Sequence, residues 1–376
     1  MNKSLLLIAD ISGFTDFVHS TEIEHSRHIT SELLEAMIDS DALGMEVAEI
    51  EGDAVLFFKY HQLPSQKELL AQAEKMFLDF HNHLQLYKLR RICNCGACST
   101  AENLTMKIVA HASDFEFMKV KNFKKPHGND LIVIHKLLKN NIEGREYLLM
   151  TDQLIQEIGS SDHSEFPWAV HKEGSIRYEK LGEINYHYLS LTPLKSEVKI
   201  PEKISGSQHS KNPLRVSTHI SVKKQKLFDI LNNFDERYKW NKGLLKLEYE
   251  RDRVNRAGTV HKCVLKNGDQ LEFETVKGDF PESTLVYGER LKDFKFFEEV
   301  TNYYILKGEG EGTHITVESH IKAKSFLHSL LMPMIKMQFN KNFKQVLKDL
   351  KELVENKSVV RNFAEGADYS TNRVAS

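Results

Sequence analysis

The chain is poor in the residues that mark specialised architectures. It has four cysteines in 376 residues, too few for a disulfide framework. Glycine (19) and proline (8) are sparse, which excludes collagen and low-complexity chains. No run approaches the roughly 18 uninterrupted apolar residues that a membrane helix needs. The apolar start MNKSLLLIADISGF is broken by Asp10 and has no small-residue cleavage site after it, so a cytoplasmic, reducing setting is expected rather than secretion. Neither charge is in excess: 51 Lys and Arg face 53 Asp and Glu, a formal net charge of -2. Such a weak field gives no general reason to expect nucleic acid or an anionic membrane surface as partner.

What remains is an ordinary globular composition, 41% hydrophobic and 28% charged, and at about 150 residues per domain the length implies two or three domains. The first half alternates strand-like and helix-like segments. The run Leu5 to Ala9 ends at Asp10, Ser12-Gly13 breaks it, and Ile29, Leu33, Leu34, Met37 and Ile38 follow at helical spacing,. Two extended runs flank Glu51-Gly52-Asp53, the signature of a β-hairpin. A further helix carries Leu69, Leu70, Ala73, Met76, Phe77, Phe80 and Leu84 on one face. Strand, helix, strand and a closing hairpin are expected through Leu191. Strands interleaved with helices over this span predict an α+β or α/β layer.

The polar, proline-containing stretch 193–212 reads as a linker, which places one domain at 1–192 and a second at 213–356, with a disordered tail at 357–376,. The second half opens with a strand and a helix. Several strand-like runs separated by Gly and Asn turns follow, then a long amphipathic helix from Phe326 to Val354, with Pro333 expected to kink it,.

The segment Ile8-Ala9-Asp10-Ile11-Ser12-Gly13-Phe14-Thr15, followed by Glu49-Ile50-Glu51-Gly52-Asp53-Ala54, resembles the first strand and the second hairpin of class III adenylate/guanylate cyclase catalytic domains. Either segment alone also suits a helix cap or a plain turn. The resemblance implies a ferredoxin-like sheet-and-helix domain whose Asp10, Asp53 and Ile11 carbonyl bind Mg or Mn together with a nucleotide. It also implies a homodimer, because that family's site forms between two domains. Glu49 stands at the base-selecting position. A carboxylate there accepts hydrogen bonds from guanine and disfavours adenine.

The family's second motif aligns with Gly128 through Lys136 and departs from it. The base contact becomes Asn129, the ribose-orienting Asn becomes Ile132, and the Arg that stabilises the transition state becomes Lys136. Ile132 cannot hydrogen-bond, and Lys136, the one catalytic candidate, keeps the charge without the planar fork. Losing one such preorganised donor costs about 2.7–4 kcal/mol.

Cys93, Cys95 and Cys98 crowd between a helix ending near Arg91 and a strand at Met106. They are candidate zinc ligands, with His81, His83 or His111 as a fourth; a loop of unbound thiols or a redox pair are the other readings. Cys263 reads as a small core residue.

The order of elements over about 213–355 resembles the START-like (SRPBCC) helix-grip superfamily, which includes polyketide cyclase/dehydrase-like and lipid-transfer proteins. That implies a hydrophobic cavity, for which Trp240, Phe273, Phe296, Phe326, Met334 and Met337 are candidate lining residues, although such residues are also ordinary core. The combined expectation is a ligand-responsive protein of little or no catalytic power, binding metal-nucleotide in one domain and a hydrophobic small molecule in the other. An active guanylate cyclase making cyclic GMP, and a lipid or aromatic-ligand carrier with a structural first domain, are the alternatives.

Overall fold

The computed structural model describes residues 3–19, 21, 23–159, 165–206, 212–281 and 284–356. The tail expected to be disordered, 357–376, and part of the expected linker, 207–211, lie outside them. The chain divides into two compact units between residues 202 and 203, except that 90–94 group with the second unit and 252–254 with the first.

The first unit contains β1 (Ser4–Ser12), α1 (Phe14–His19), α2 (Ile23–Asp39), β2 (Glu46–Glu51), β3 (Ala54–Lys59), α3 (Gln66–Arg90), α4 (Gly96–Thr100), β4 (Thr105–Ser113), β5 (Glu116–Val120), β6 (Phe123–His127), α5 (Asn129–Leu137), β7 (Tyr147–Thr151), α6 (Asp152–Ile158), β8 (Lys172–Tyr178) and β9 (Gly182–Ser190). Its sheet runs β2-β3-β1-β4-β7-β9-β8. The first four strands, joined through α2 and α3, make the ferredoxin-like α+β arrangement that the cyclase resemblance implies. The β4–β7 pairing is parallel, whereas β1 is antiparallel to both of its neighbours. A strand flanked on both edges and covered on both faces needs no polar alternation, and Leu5 through Ala9 are all buried. Leu6 and Ile8 pack with Val109, Leu149, Ile134 and Leu137, so α5 covers that face. On α3 the seven apolar residues expected to share a face are all buried.

The second unit contains β10 (Leu214–Ile220), α7 (Lys224–Asn232), α8 (Arg237–Trp240), β11 (Leu244–Glu248), β12 (Val260–Leu265), β13 (Gln270–Val276), β14 (Leu285–Phe294), β15 (Phe297–Glu309), β16 (Gly312–Ala323), α9 (Phe326–Leu330) and α10 (Met332–Glu355). Its antiparallel sheet has the order β10-β16-β15-β14-β13-β12-β11, and α10 buries Phe343, Leu347, Leu350 and Val354 at intervals of one turn,. This is the helix-grip architecture. Pro333 does not kink one long helix; it lies in the first turn of α10, after α9 has ended, because a missing N–H costs nothing where the helix leaves that group unpaired.

A buried ion pair stands inside this unit. Arg237 and Glu289, each 2% exposed, are in direct contact. Tyr287 donates to Glu289 Oε1 at 2.6 Å, and His261 Nε2 lies 3.4 Å from the same oxygen. Burial opposes ionisation of Glu289, but the Arg237 charge and the bonds from His261 and Arg237 outweigh it and hold the carboxyl well below its ordinary range. This pair therefore stabilises the unit above the unfolded carboxylate pKa, and the contribution fades as pH falls below it. Arg237→Leu leaves Glu289 charged and buried, and is expected to cost about 3–5 kcal/mol at pH 7. Urea unfolding followed by Trp240 fluorescence in a Trp168→Phe background measures this loss, which should shrink toward pH 4 as Glu289 of the variant protonates.

Candidate functional site

The pairing of β1 positions the first site. Asp10 stands opposite Ala54 of β3 and opposite Lys107 of β4, and the Ile11 N–H donates to the Asp53 carbonyl at 3.0 Å. The end of β1 and the turn of the β2–β3 hairpin are thereby joined. Gly52 in that turn has φ +62° and Gly13, just past β1, has φ +88°, a region that side chains other than glycine seldom adopt. Together these bends open a cleft of about 420 Å³ lined by Asp10, Ile11, Asp53, Lys107 and Arg145, among others.

The charges in the cleft oppose one another. Lys107 Nζ lies 3.0 Å from Asp10 Oδ2 and donates to the Leu138 carbonyl at 3.1 Å. Burial raises the Asp10 pKa, and Lys107 counteracts it. Asp53 is pushed up to about 6, first by burial and then by the negative charge of Asp10. Lys107 opposes the shift at both carboxylates, pairing directly with Asp10 and acting on Asp53 through its charge alone. Two carboxylates with Ile11 on the same wall form a hard-oxygen donor set that suits Mg or Mn.

The remaining cyclase-motif residues lie elsewhere. Glu49 lines a separate groove of about 540 Å³ with Ile132, His135 and Lys136. It faces His135 Nε2 at 3.5 Å and Lys125 Nζ at 3.7 Å. Asn129 is the first residue of α5, and Ile132 is 50% exposed. One chain thus separates the metal-ligand half of the motif set from its base- and phosphate-contacting half. Sequence reasoning missed Lys107 and Arg145. Lys107 becomes visible once the β1–β4 register is known, and Arg145 sits in a loop with no motif around it.

The cysteine cluster gains a partner different from those expected. His25 Nδ1 lies 3.2 Å from Cys95 Sγ and 3.4 Å from Cys98 Sγ. The three histidines expected as fourth ligands are engaged elsewhere: His81 faces Glu146 at 3.3 Å, His83 faces Glu32 at 2.9 Å, and His111 bonds Thr151 at 2.8 Å. The cause is topological, since the first turns of α2 and not α3 or β4 pass beside the cysteines.

In the second unit Trp240 is fully buried and Phe273 packs against the cluster of Leu291, Phe297, Val300 and Ile321. Phe296, Phe326, Met334 and Met337 are exposed, Phe326 by 79% and Met337 by 70%. They face outward and do not wall an enclosed chamber. Inside the unit, Arg237 Nε, Trp240 Nε1 and His261 Nδ1 have no hydrogen-bond partner among the described residues.

The raised pKa of Asp53 has a sign that can be checked. Its folded value exceeds the ordinary 3.8, so ionising it destabilises the metal-free protein progressively between about pH 4 and 6 and by a constant amount above. Asp53→Asn is expected to raise the melting temperature at pH 7.5 in the presence of chelator, and to leave it unchanged below pH 4. Thermal melts at the two pH values measure the difference.

Among known proteins, a model of a family described as "Protein of unknown function (DUF2652)" matches residues 30–147. A second, described as "Polyketide cyclase / dehydrase and lipid transport", matches residues 213–355. A curated relative is the uncharacterized protein Rv2561/Rv2562 of Mycobacterium tuberculosis, 30% identical over 175 residues, which are 46% of this chain and 78% of that protein. Solved structures with some likeness include the guanylate cyclase domain of RhGC from Catenaria anguillulae in complex with GTP (14% identity, 50% of this chain, 96% of that one, TM-score 0.36). Another is a START superfamily protein from Mycobacterium smegmatis (14% identity, 38% of this chain, 97% of that one, TM-score 0.31). Likenesses at these scores carry no argument about function. The extent and identity of the curated match do show kinship, while residues 213–355 resemble the polyketide cyclase/dehydrase and lipid transport model: the chain belongs to the family of the uncharacterized mycobacterial protein Rv2561/Rv2562.

Proposed function

We propose that the protein is a ligand-responsive pseudo-cyclase, in which the first unit binds a metal-nucleotide without cyclising it efficiently and the second binds a hydrophobic small molecule. The observation that carries the first part is the convergence of Asp10 and Asp53 in one open cleft with Lys107 and Arg145 on its walls. The carboxylates would hold Mg or Mn, which supplies charge neutralisation for a triphosphate and polarises a ribose hydroxyl. Arg145 offers a planar fork to phosphate oxygens. Lys107, now held by Asp10, is a second cation within reach of the same anion. Glu49 accepts hydrogen bonds and cannot donate them, which favours guanine.

Weak turnover follows from the groove on α5. Ile132 offers no hydrogen bond to a ribose, and Lys136 is a point charge where a bidentate donor is needed. Support for a homodimer comes from the exposed apolar residues near Glu49: Val47 and Ile50 on β2, Met118, Val120 and Phe123 on the β5–β6 hairpin, and Ile132 on α5. A second copy would cover this face, and by the cyclase resemblance the site would then form between the two chains. For the second unit, the unpartnered Nε–H of Arg237 and Nε1–H of Trp240 in its buried interior favour a ligand with a hydrogen-bond acceptor on a hydrophobic body.

Binding of GTP and ATP in the presence of Mn, measured by calorimetry on the wild type and on Asp53→Ala, tests the first claim. GTP is expected to bind more tightly than ATP, to lose at least about tenfold in affinity in the variant, and to yield no accumulating cyclic GMP in the same tubes. Equal binding to both proteins, or metal-dependent turnover at cyclase rates, would overturn it. Sedimentation velocity tests the dimer: Phe123→Asp combined with Ile132→Asp should convert a dimeric wild type into monomers.

A further inference from the structure

A second cluster, independent of the nucleotide cleft, has the chemistry of a soft-metal site. Cys95 caps α4 and Cys98 lies three residues on, so both sulfurs reach the same side of one helical turn. The Cys95 sulfur accepts the Cys98 N–H at 3.4 Å, a backbone contact that orients the thiolate. Cys93 precedes Cys95 by two residues. From α2, His25 presents Nδ1 to both Cys95 and Cys98 at 3.2 and 3.4 Å. One ligand atom from each of His25, Cys93, Cys95 and Cys98 lies within 4.8 Å of the other three, and no disulfide joins the cysteines.

We infer that these four side chains hold a tetrahedral zinc ion. With Zn–S near 2.3 Å and Zn–N near 2.0–2.1 Å, tetrahedral geometry separates sulfur from nitrogen by about 3.6 Å and sulfur from sulfur by about 3.8 Å. The observed separations need shifts of about an ångström or less to reach these values. Three sulfurs and one imidazole are soft and borderline donors that select zinc over Mg or Mn, so the ion differs in kind from that of the Asp10–Asp53 cleft. The three cysteines are 1%, 9% and 2% exposed. A closed site with four protein ligands leaves no open coordination position, which marks the zinc as structural rather than catalytic. Its effect is to tie the start of α2 to the chain leading into α4. Since α2 follows the Asp10–Asp16 wall of the cleft along the chain, the zinc fixes the far end of the segment that carries Asp10.

The test is the metal content of the full-length protein, purified with reductant and without chelator, together with the spectrum of its cobalt(II) form. About one zinc per chain is expected, with thiolate-to-cobalt charge-transfer absorption when cobalt replaces it. His25→Ala, at a half-exposed position that leaves the apolar core intact, should lower zinc affinity at least about tenfold in competition with a chromogenic chelator. Cys95→Ser with Cys98→Ser should abolish the cobalt–thiolate band. Asp53→Ala should keep its zinc, which separates this result from any failure of the nucleotide proposal. Metal-free protein after growth in zinc-supplemented medium, iron in place of zinc, or zinc affinity unchanged in His25→Ala would each overturn the assignment. If the cysteine variant does not fold, the His25→Ala competition decides the matter alone.

Discussion

Strand β1 is hydrogen-bonded along both edges, to β3 and to β4, and its apolar residues are buried on both faces. Because both faces are buried, a one-residue slip would exchange the side chains packed against α5 with those on the opposite face and draw Asp10 out of its place opposite Ala54 and Lys107, so close packing on both faces holds the register. That constraint delivers Asp10 to the Asp53 turn and to Lys107, whatever their mutual repulsion or attraction. Hydrophobic packing brings the two carboxylates together, and burial first and the Asp10 charge second push the Asp53 pKa up to about 6. The divalent cation proposed for this cleft would relieve the unfavourable arrangement, since a ligand that binds the folded state alone stabilises it. The chemistry of the cleft is therefore imposed from the buried side of the sheet.

Lys107 sets the boundary between a metal site and a mere ion pair. It pairs with Asp10 and also tempers Asp53, whose pKa burial and the Asp10 charge nonetheless raise; in the proposed reading the cleft attracts a cation and Lys107 is released toward phosphate. The second unit treats charge differently. Arg237 and Glu289 neutralise one another in a fully buried pair, backed by Tyr287 and His261. There the charges are part of the core, whereas in the first cleft they face an open volume.

The apolar periodicities were legible in the sequence. The buried face of α3 is the one its spacing predicts, the unalternating run Leu5–Ala9 is a central strand, and Gly52-Asp53 is the hairpin turn that joins β2 to β3. Local pattern and tertiary demand agree at these positions. What escaped was set by register and long-range packing. Lys107 is separated from Asp10 by most of the first unit's leading half, and only the β1–β4 pairing brings them together. His25 carried no metal-ligand spacing relative to Cys93, and the nearer histidines His81 and His83 on α3 face Glu146 and Glu32 instead. The β5–β6 hairpin, with its exposed Phe123, lacks the alternating apolar face that would have announced it. Phe326, Met334 and Met337 look like core by composition, but α9 and the first turns of α10 carry them outward.

The most direct test of the cleft is anomalous diffraction at the manganese edge from crystals grown with Mn. A peak between the Asp10 and Asp53 carboxylates, with Lys107 Nζ displaced from Asp10, is the expected result. Lys107 still paired with Asp10 at saturating Mn, and no peak at either carboxylate, would contradict the assignment of these two aspartates as a metal site.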